Sequence, residues 1–171
     1  MILIYDFTKD VYSSNVTVVN QKPFIFNMSI RKNLNFVDTN INNQIEACKK
    51  VGMHDFIMGL PDGYNTILRE NANNISGGQK QLISIARTLL SKSEILLFDE
   101  VTAQLDPATT KHIINIMKDL KVDHTILMIT HKPQLMKLAD EIIVIDKGKV
   151  VGMGEHKVLI EKNKYYQLLQ K

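Results

Sequence analysis

The sequence predicts an α/β fold with a parallel sheet, and three observations support this. Short apolar runs such as Ile95–Phe98 alternate with segments whose apolar residues recur at helical spacing. Asp99-Glu100 and Thr130-His131 directly follow two of these runs, at the strand ends where open α/β sheets place their chemistry. The third observation is Ser76-Gly77-Gly78, which precedes a helical segment and has the composition of an anion-binding helix start.

Composition indicates one globular domain. The chain has 171 residues, 44% hydrophobic and 23% charged, which is enough for one core and too short for several domains. The formal charge of +3 is small and spread along the chain, so no nucleic acid is expected as a partner. Cys48 is the only cysteine, which fits a reducing cytoplasm. No apolar run approaches the ~20 residues of a membrane span, and Met1–Ile4 lacks the features of a signal peptide.

The first part of the chain predicts two strands, Ile2–Ile4 and Thr17–Val19. Gln21 comes at the carboxyl end of the second strand, and Pro23 then stops further ladder pairing. Phe24–Phe26 is more apolar than a loop should be, so it is either core or a docking surface.

The middle of the chain predicts helices. They are a helix from Ser29 to Leu34, one after Asn40 with Ile41, Ile45 and Cys48 at helical spacing, a break at Gly52, a short helix over Asp55–Met58, and a turn over Leu60–Tyr64.

The helix after Ser76 is predicted to have one apolar face, made of Leu82, Ile85, Ala86, Leu89 and Leu90. An isolated Ser-Gly-Gly is more often an ordinary cap and turn than a ligand site. Here it lies one helix before a strand that ends in two carboxylates, and this order favours phosphate, a divalent ion and a water as ligands.

The last part predicts a helix, a buried strand, a β-hairpin and amphipathic segments that close the chain. Pro107 begins a helix with Ile113, Ile116, Met117 and Leu120 on one face, Ile126–Ile129 forms a buried strand, Ile142–Ile145 and Val150-Val151 form a β-hairpin, and Val158, Leu159, Leu168 and Leu169 face the core.

Taken together, these segments resemble the ATP-binding domain of an ABC transporter of the exporter kind. Ile75–Gln79 matches the L-S-G-G-Q signature with Ile for Leu, and Ile95–Glu100 matches the Walker B strand with its catalytic Glu. Ala103–Asp106 resembles the D-loop, with Ala-Gln in place of the usual Ser-Ala. His131 matches the switch His, and Gln21 matches the Q-loop Gln.

The resemblance implies a P-loop NTPase core of the ABC type with a parallel sheet and an inserted helical subdomain. The core would comprise residues 1–28 and 91–171, and the helical subdomain residues 29–90, ending in the signature. Glu70 fits that subdomain, whereas Arg69 and Ala72 stand where exporters often have glycine. The pattern G-x-x-x-x-G-K-[ST] does not occur in the sequence, so the expectation is an N-terminally truncated domain, the C-terminal part of a longer polypeptide.

The resemblance also implies the residues of an ATP and Mg²⁺ site. Glu100 would orient and polarise the attacking water, and His131 would contact the γ-phosphate. Asp99, through a water ligand, and Gln21 would hold Mg²⁺.

A second group of residues would contact nucleotide bound by another domain. In this family the signature of one domain meets the ATP held by its partner, which implies that role for Ser76, Gly77, Gly78 and Gln79, with Asp106 at the same interface.

Three function classes follow. The favoured one is the ATP-hydrolysing motor of an exporter, paired with a second ATP-binding domain and a transmembrane domain at the cytoplasmic face of the membrane. The second is a soluble ABC ATPase acting on nucleic acid or ribosomes, which would call for a tandem domain or heptad arms. The third is a non-catalytic dimerisation module, which the absent phosphate-loop pattern supports, since this chain alone would then be inactive.

Overall fold

The computed structural model describes residues 14–170, whose contacts divide into two compact units, 14–128 and 129–170. The elements of the first unit are β1 (Val16–Val19), α1 (Ile30–Asn35), α2 (Ile41–Lys50), α3 (His54–Met58), α4 (Gly77–Leu90), β2 (Ile95–Asp99), α5 (Pro107–Leu120) and β3 (Thr125–Ile129), which ends at the boundary. Those of the second are α6 (Pro133–Met136), β4 (Ile142–Asp146), β5 (Lys149–Gly154), α7 (His156–Lys162) and α8 (Lys164–Leu168). The strand predicted at Ile2–Ile4 lies outside the described residues.

The sheet of the first unit has the order β1-β2-β3. β1 and β2 pair in parallel, with Val16 opposite Ile95 and Val19 opposite Phe98. This confirms the predicted parallel sheet. It also places the carboxyl ends of both strands, and the residues that follow them, at the same edge.

Two of the strands are less buried than predicted. In β2, Leu96 and Phe98 are fully buried, while Ile95 is exposed. In β3 the described residues alternate between exposed and half-buried, and Leu127 is 53% exposed. The prediction of buried strands was therefore wrong for β3 and half right for β2. A run of apolar residues does not show whether one or both faces of a strand are covered, because the pattern is the same in both cases.

Helix α4 occupies the middle of the first unit and packs against both α2 and β1. The predicted apolar face is buried except at Leu89, which is only half-buried. The prediction of one face was nevertheless too narrow, since the polar residues Gln81, Ser84 and Thr88 are buried as well. A helix with neighbours on two sides must bury more than one stripe.

The predicted caps of the middle region are confirmed. The Ser29 hydroxyl accepts a hydrogen bond from the Lys32 N–H at the start of α1, and the Asn40 side chain accepts from two N–H groups at the start of α2. Gly52 ends this region of helix with φ +71°, a backbone conformation that favours glycine. The boundaries of the helical subdomain, 29–90, stay a prediction.

The second unit contains the predicted hairpin, in which β4 and β5 pair antiparallel. Its core consists of Met136, Val144, Leu159 and Tyr166. The prediction for the closing helices was wrong at three of four residues, since Val158, Leu168 and Leu169 are exposed. Tyr166, seven residues after Leu159, fills the core instead. Between residues 14 and 170, no helix is both long enough and apolar enough to cross a membrane.

Candidate functional site

The centre of the candidate site is a contact between the segments that follow β1 and β2. Gln21 lies two residues beyond β1, and Glu100 is the first residue beyond β2. The Gln21 amide Nε2 donates a hydrogen bond to Glu100 Oε2 over 3.2 Å. Parallel pairing of the two strands brings these side chains together although they are 79 positions apart in the sequence.

Glu100 has an unusual backbone. Its φ is +46°, in the left-handed region that non-glycine residues rarely adopt. The Glu100 carbonyl accepts a hydrogen bond from the Ala103 N–H at 2.9 Å, which closes a tight turn directly after the strand. This backbone conformation raises the free energy of the folded chain by on the order of 1–3 kcal/mol per residue, and such residues concentrate at functional sites.

Asp99 is the last residue of β2 and is half-buried. Glu100, the next residue, carries the carboxyl group that accepts from the Gln21 amide, so two residues with carboxyl groups follow one another at this strand end. Among the side chains that the structure describes, no cluster of three or more His, Cys, Asp or Glu residues could hold a metal ion. Carboxylate oxygens are the ligand type of cations that also take ligands from water or from a bound phosphate, as Mg²⁺ does.

The start of α4 is closed by a reciprocal cap. The Ser76 hydroxyl accepts from the Gln79 N–H at 3.2 Å, and Gln79 Oε1 accepts from the Ser76 N–H at 2.8 Å. Both partners are uncharged, so the positive end of the helix dipole is not neutralised by the cap. The predicted N-cap is confirmed, whereas the ligand roles of these residues and of the two glycines stay predictions.

The two glycines after Ser76 have different surroundings. A Cβ placed on Gly77 would have nothing within 4 Å, and Gly77 is exposed. A Cβ on Gly78 would lie 2.7 Å from Thr109 Cγ2 and 3.1 Å from Thr109 Oγ1. Gly77 is thus open to an incoming group, and Gly78 touches a helix of its own chain.

The start of α5 is capped by a charged residue. One oxygen of Asp106 accepts from the Thr109 N–H at 2.9 Å, and the other accepts from Thr109 Oγ1–H at 2.6 Å. These two hydrogen bonds hold the pKa of the Asp106 carboxyl below its usual range. Asp106 and Gly78, both predicted site residues, thus contact the same residue.

An open cleft joins the Gln21 segment to the signature. It has a volume of ≈ 400 Å³, and its lining includes Gln21, Lys22, Gly77, Lys80 and Gln104. The structure therefore brings the Gln21 segment, the start of α4 and the turn after Glu100 to one place. His131 follows β3 and belongs to the second unit, so its role stays a prediction.

Two residues that hold the Gln21 segment were not found from the sequence. Gln81, buried in α4, donates to the Asn20 carbonyl at 3.2 Å, and Arg87 of the same helix donates to the Phe24 carbonyl. Burial lowers the pKa of Arg87. The hydrophobic pattern carries no signal for Gln81, because its buried hydrogen-bond partner is set by tertiary contacts.

The aromatic segment after Gln21 is part core and part surface. Ile25 is buried, but Phe24 is 68% exposed and Phe36 is 60% exposed. Their rings form a row through Phe26, with centroids 4.7 Å and 4.5 Å apart. The backbone of Phe26 is fixed by the buried Asn33 side chain, which accepts from its N–H and donates to its carbonyl. The segment is thus partly core and partly exposed, the exposed rings form one apolar patch, and its role as a docking surface stays a prediction.

Ala72 lies four residues before Ser76 in a conformation that suits glycine. Its φ is +50°, and the residue is fully buried. ABC exporters often have glycine at this position. The structure shows the physical reason, since a left-handed backbone favours a residue without a Cβ.

Comparisons with known proteins show which family this chain resembles. The ABC transporter family profile matches residues 4–103. The uncharacterized ABC transporter ATP-binding protein YknU of Bacillus subtilis is 39% identical over 166 residues, and an ATP-dependent lipid A-core flippase of Saccharophagus degradans is 37% identical over 154 residues. The solved structure of a bacterial Atm1-family ABC exporter with ATP bound superposes with a TM-score of 0.89 at 31% identity.

The matches cover most of this chain but a minority of each relative. They span 96% of this chain and 28% of YknU, and 89% of this chain and 26% of the flippase. The Atm1-family match spans 97% of this chain and 30% of the solved one. The similarity therefore concerns one region of larger proteins.

Proposed function

The chain belongs to the ABC transporter family, and from this premise we propose that it is the ATP-binding and ATP-hydrolysing domain of an exporter. The observation that supports this most is the hydrogen bond between Gln21 and Glu100. It joins the Q-loop Gln to the Glu of the Walker B strand at the strand end where α/β sheets bind ligands.

The residues present fit ATP and Mg²⁺. Oxygen atoms of Asp99 and Gln21 are the ligand type that Mg²⁺ takes, usually from one or two carboxylates with the rest supplied by water and phosphates. Bound Mg²⁺ would neutralise charge on the phosphate oxygens. The start of α4, with its uncharged cap and open Gly77, fits a phosphate group.

Each residue then has a defined task. Asp99 would hold the metal through a water ligand, and Gln21 would contact the metal. The Glu100 carboxylate orients the attacking water and accepts its proton, while the Gln21 amide fixes the direction of that carboxylate. His131 contacts the γ-phosphate from the segment after β3.

The signature acts on a second domain. Ser76 and Gly77 are exposed at the positive end of a 14-residue helix dipole. We assign them, with Gly78 and Gln79, to the γ-phosphate of ATP held by a partner domain, so that two ATP molecules are sandwiched between two such domains. Asp106 lies at the same interface.

The exposed aromatic patch is the surface proposed for docking the transmembrane domain. Phe24 and Phe36 expose their rings while Asn33 and Arg87 hold the backbone beneath them. The patch directly follows Gln21, so a movement of the docked partner would reach the hydrogen bond to Glu100. From this proposed docking we infer that the domain lies at the cytoplasmic face of a membrane.

Replacing Glu100 tests the proposed function. In the full-length protein, Glu100→Gln should retain ATP binding but lower turnover by on the order of 100-fold or more, since an amide is a poor proton acceptor. The matched control is Glu94→Gln, the same change at the exposed residue before β2, which should keep normal turnover. Normal turnover in Glu100→Gln would disprove the catalytic role.

The absent phosphate-loop pattern favours a second candidate for residues 1–171 on their own, a non-catalytic partner that caps ATP held by another domain. Without that loop, the chain lacks the nest of N–H groups and the Lys that hold the β- and γ-phosphates. Isothermal titration of residues 1–171 with Mg-ATP should therefore show very weak binding, and a chimera carrying the phosphate-loop segment of a relative should bind tightly. Micromolar binding by the chain alone would mean that its phosphate site lies elsewhere.

A further inference from the structure

Thr109 contacts two of the segments that the proposed function places at the partner interface. Its hydroxyl and N–H both donate to the Asp106 carboxylate, at 2.6 and 2.9 Å. Its methyl group also packs against Gly78, since a Cβ added to Gly78 would lie 2.7 Å from Thr109 Cγ2. One side chain therefore connects the D-loop residue to the signature helix.

The contact explains by packing alone, without a ligand, why residue 78 is glycine. Gly77, its neighbour, has open space at the Cβ position, whereas Gly78 is buried against Thr109. A Cβ at 2.7 Å from a methyl carbon is not sterically possible without a shift of the Thr109 side chain or of one helix. The separation of α4 and α5 at this point is thus set by a glycine on one helix and a threonine on the other.

We propose that Thr109 is a positioning residue that fixes Asp106 and the signature helix as one rigid element. The proposal rests on the proposed function, in which both segments face the second domain. The hydroxyl aligns the Asp106 carboxylate, and the methyl sets how far α5 lies from the start of α4. A shift of the D-loop would then also move the signature of the same chain.

The first test is independent of ATP. In the full-length protein, Gly78→Ala should lower the Tm by roughly 5 °C because of overpacking. In a Thr109→Ser background the methyl is removed from one helix as it is added to the other, so at least half of that loss should be recovered. An equal loss in both backgrounds would show that Gly78 and Thr109 are not coupled and would overturn the proposal.

The second test separates positioning from folding. Thr109→Val keeps the methyl, but its side chain cannot donate to Asp106. We therefore expect the kcat of ATP hydrolysis to fall roughly tenfold while the KM for ATP stays within about twofold. The Thr109→Ser variant, which keeps the donor, should restore at least half of this loss. An unchanged kcat in Thr109→Val would overturn the positioning role.

The neighbouring threonine supplies the control. Thr110 is buried, and among the described residues its hydroxyl has no hydrogen-bond partner. Thr110→Val makes the same chemical change one residue further on, and it should leave kcat and KM unchanged. If the wild-type protein hydrolysed no ATP, the proposed function would fail and the positioning role with it, while the Tm cycle would still decide whether Gly78 and Thr109 are coupled.

Discussion

Helices α4 and α5 are both 14 residues long and begin with a side-chain cap, but the two caps differ in charge. Ser76 and Gln79 cap α4 without a charge, whereas the Asp106 carboxylate caps α5. An anionic cap compensates the positive end of a helix dipole, and a neutral cap leaves it for a ligand. In the proposed function, this difference in cap charge makes the start of α4, and not that of α5, suitable for a phosphate.

The largest expected effect comes from giving α4 the kind of cap that α5 has. Ser76→Asp keeps an N-cap acceptor, so the helix should remain stable. Its charge would repel a phosphate, and ATP-dependent dimerisation of the full-length protein should weaken by on the order of 100-fold or more. Size-exclusion chromatography with Mg-ATP in the Glu100→Gln background would measure it.

The control for this change is Asn40→Asp, which introduces the same charge at the cap of α2. The Asn40 side chain accepts from the N–H groups of Asn42 and Asn43, so a carboxylate can replace it. Dimerisation should be normal in this variant. Normal dimerisation in Ser76→Asp as well would show that the start of α4 does not meet a phosphate.

The reverse change removes the charge from α5. Asp106→Asn should lower the Tm at pH 7 by roughly 2 to 4 °C, because a charge-assisted hydrogen bond from Thr109 and the charge–dipole interaction are lost. Since the pKa of Asp106 is lowered from its usual 3.8, its contribution is complete above that value. The contribution disappears as the pH falls through the lower pKa of the folded state.

Thermal melts of the wild type and Asp106→Asn at pH 7, 5 and 3 would follow this dependence. Asp123→Asn, a change at an exposed residue just beyond the other end of the same helix, should not lower the Tm. A Tm difference for Asp106→Asn that was the same at pH 3 as at pH 7 would argue against an ionised cap.

The smallest expected effect is at Gly77. Gly77→Ala meets no neighbouring atom and adds helix propensity, so it should raise the free energy of unfolding by about 0.5 kcal/mol. The same change at Gly78 should lower it. Urea unfolding of the two variants would sharpen the contrast between an open and a packed glycine, and destabilisation by Gly77→Ala would contradict the open space found there.

The sequence predicted α5 better than α4. The four apolar residues predicted for one face of α5, which are Ile113, Ile116, Met117 and Leu120, are all buried, because this helix has a single stripe. In α4 the buried Gln81 and Thr88 could not be found from a hydrophobic pattern, since their partners are set by tertiary contacts. Thr109 carried a signal that was overlooked, as it is the third residue after an Asp cap.

The candidate site shows the same division. Gln21 and Glu100 could be placed at one sheet edge from the sequence, because parallel strands end together. Their hydrogen bond and the left-handed φ of Glu100 could not, since they depend on how the chain turns after β2. The exposure of the strand faces could not be predicted either, because periodicity does not show what covers a sheet.

The uncovered apolar residues of the sheet have a practical consequence for handling this chain. Val18, Ile95 and Leu127 of the three neighbouring strands are each at least 36% exposed. Apolar surface of this kind attracts other apolar surface in water. Solutions of residues 1–171 should therefore have a negative osmotic second virial coefficient, and their light scattering should rise faster than concentration unless a mild detergent is added.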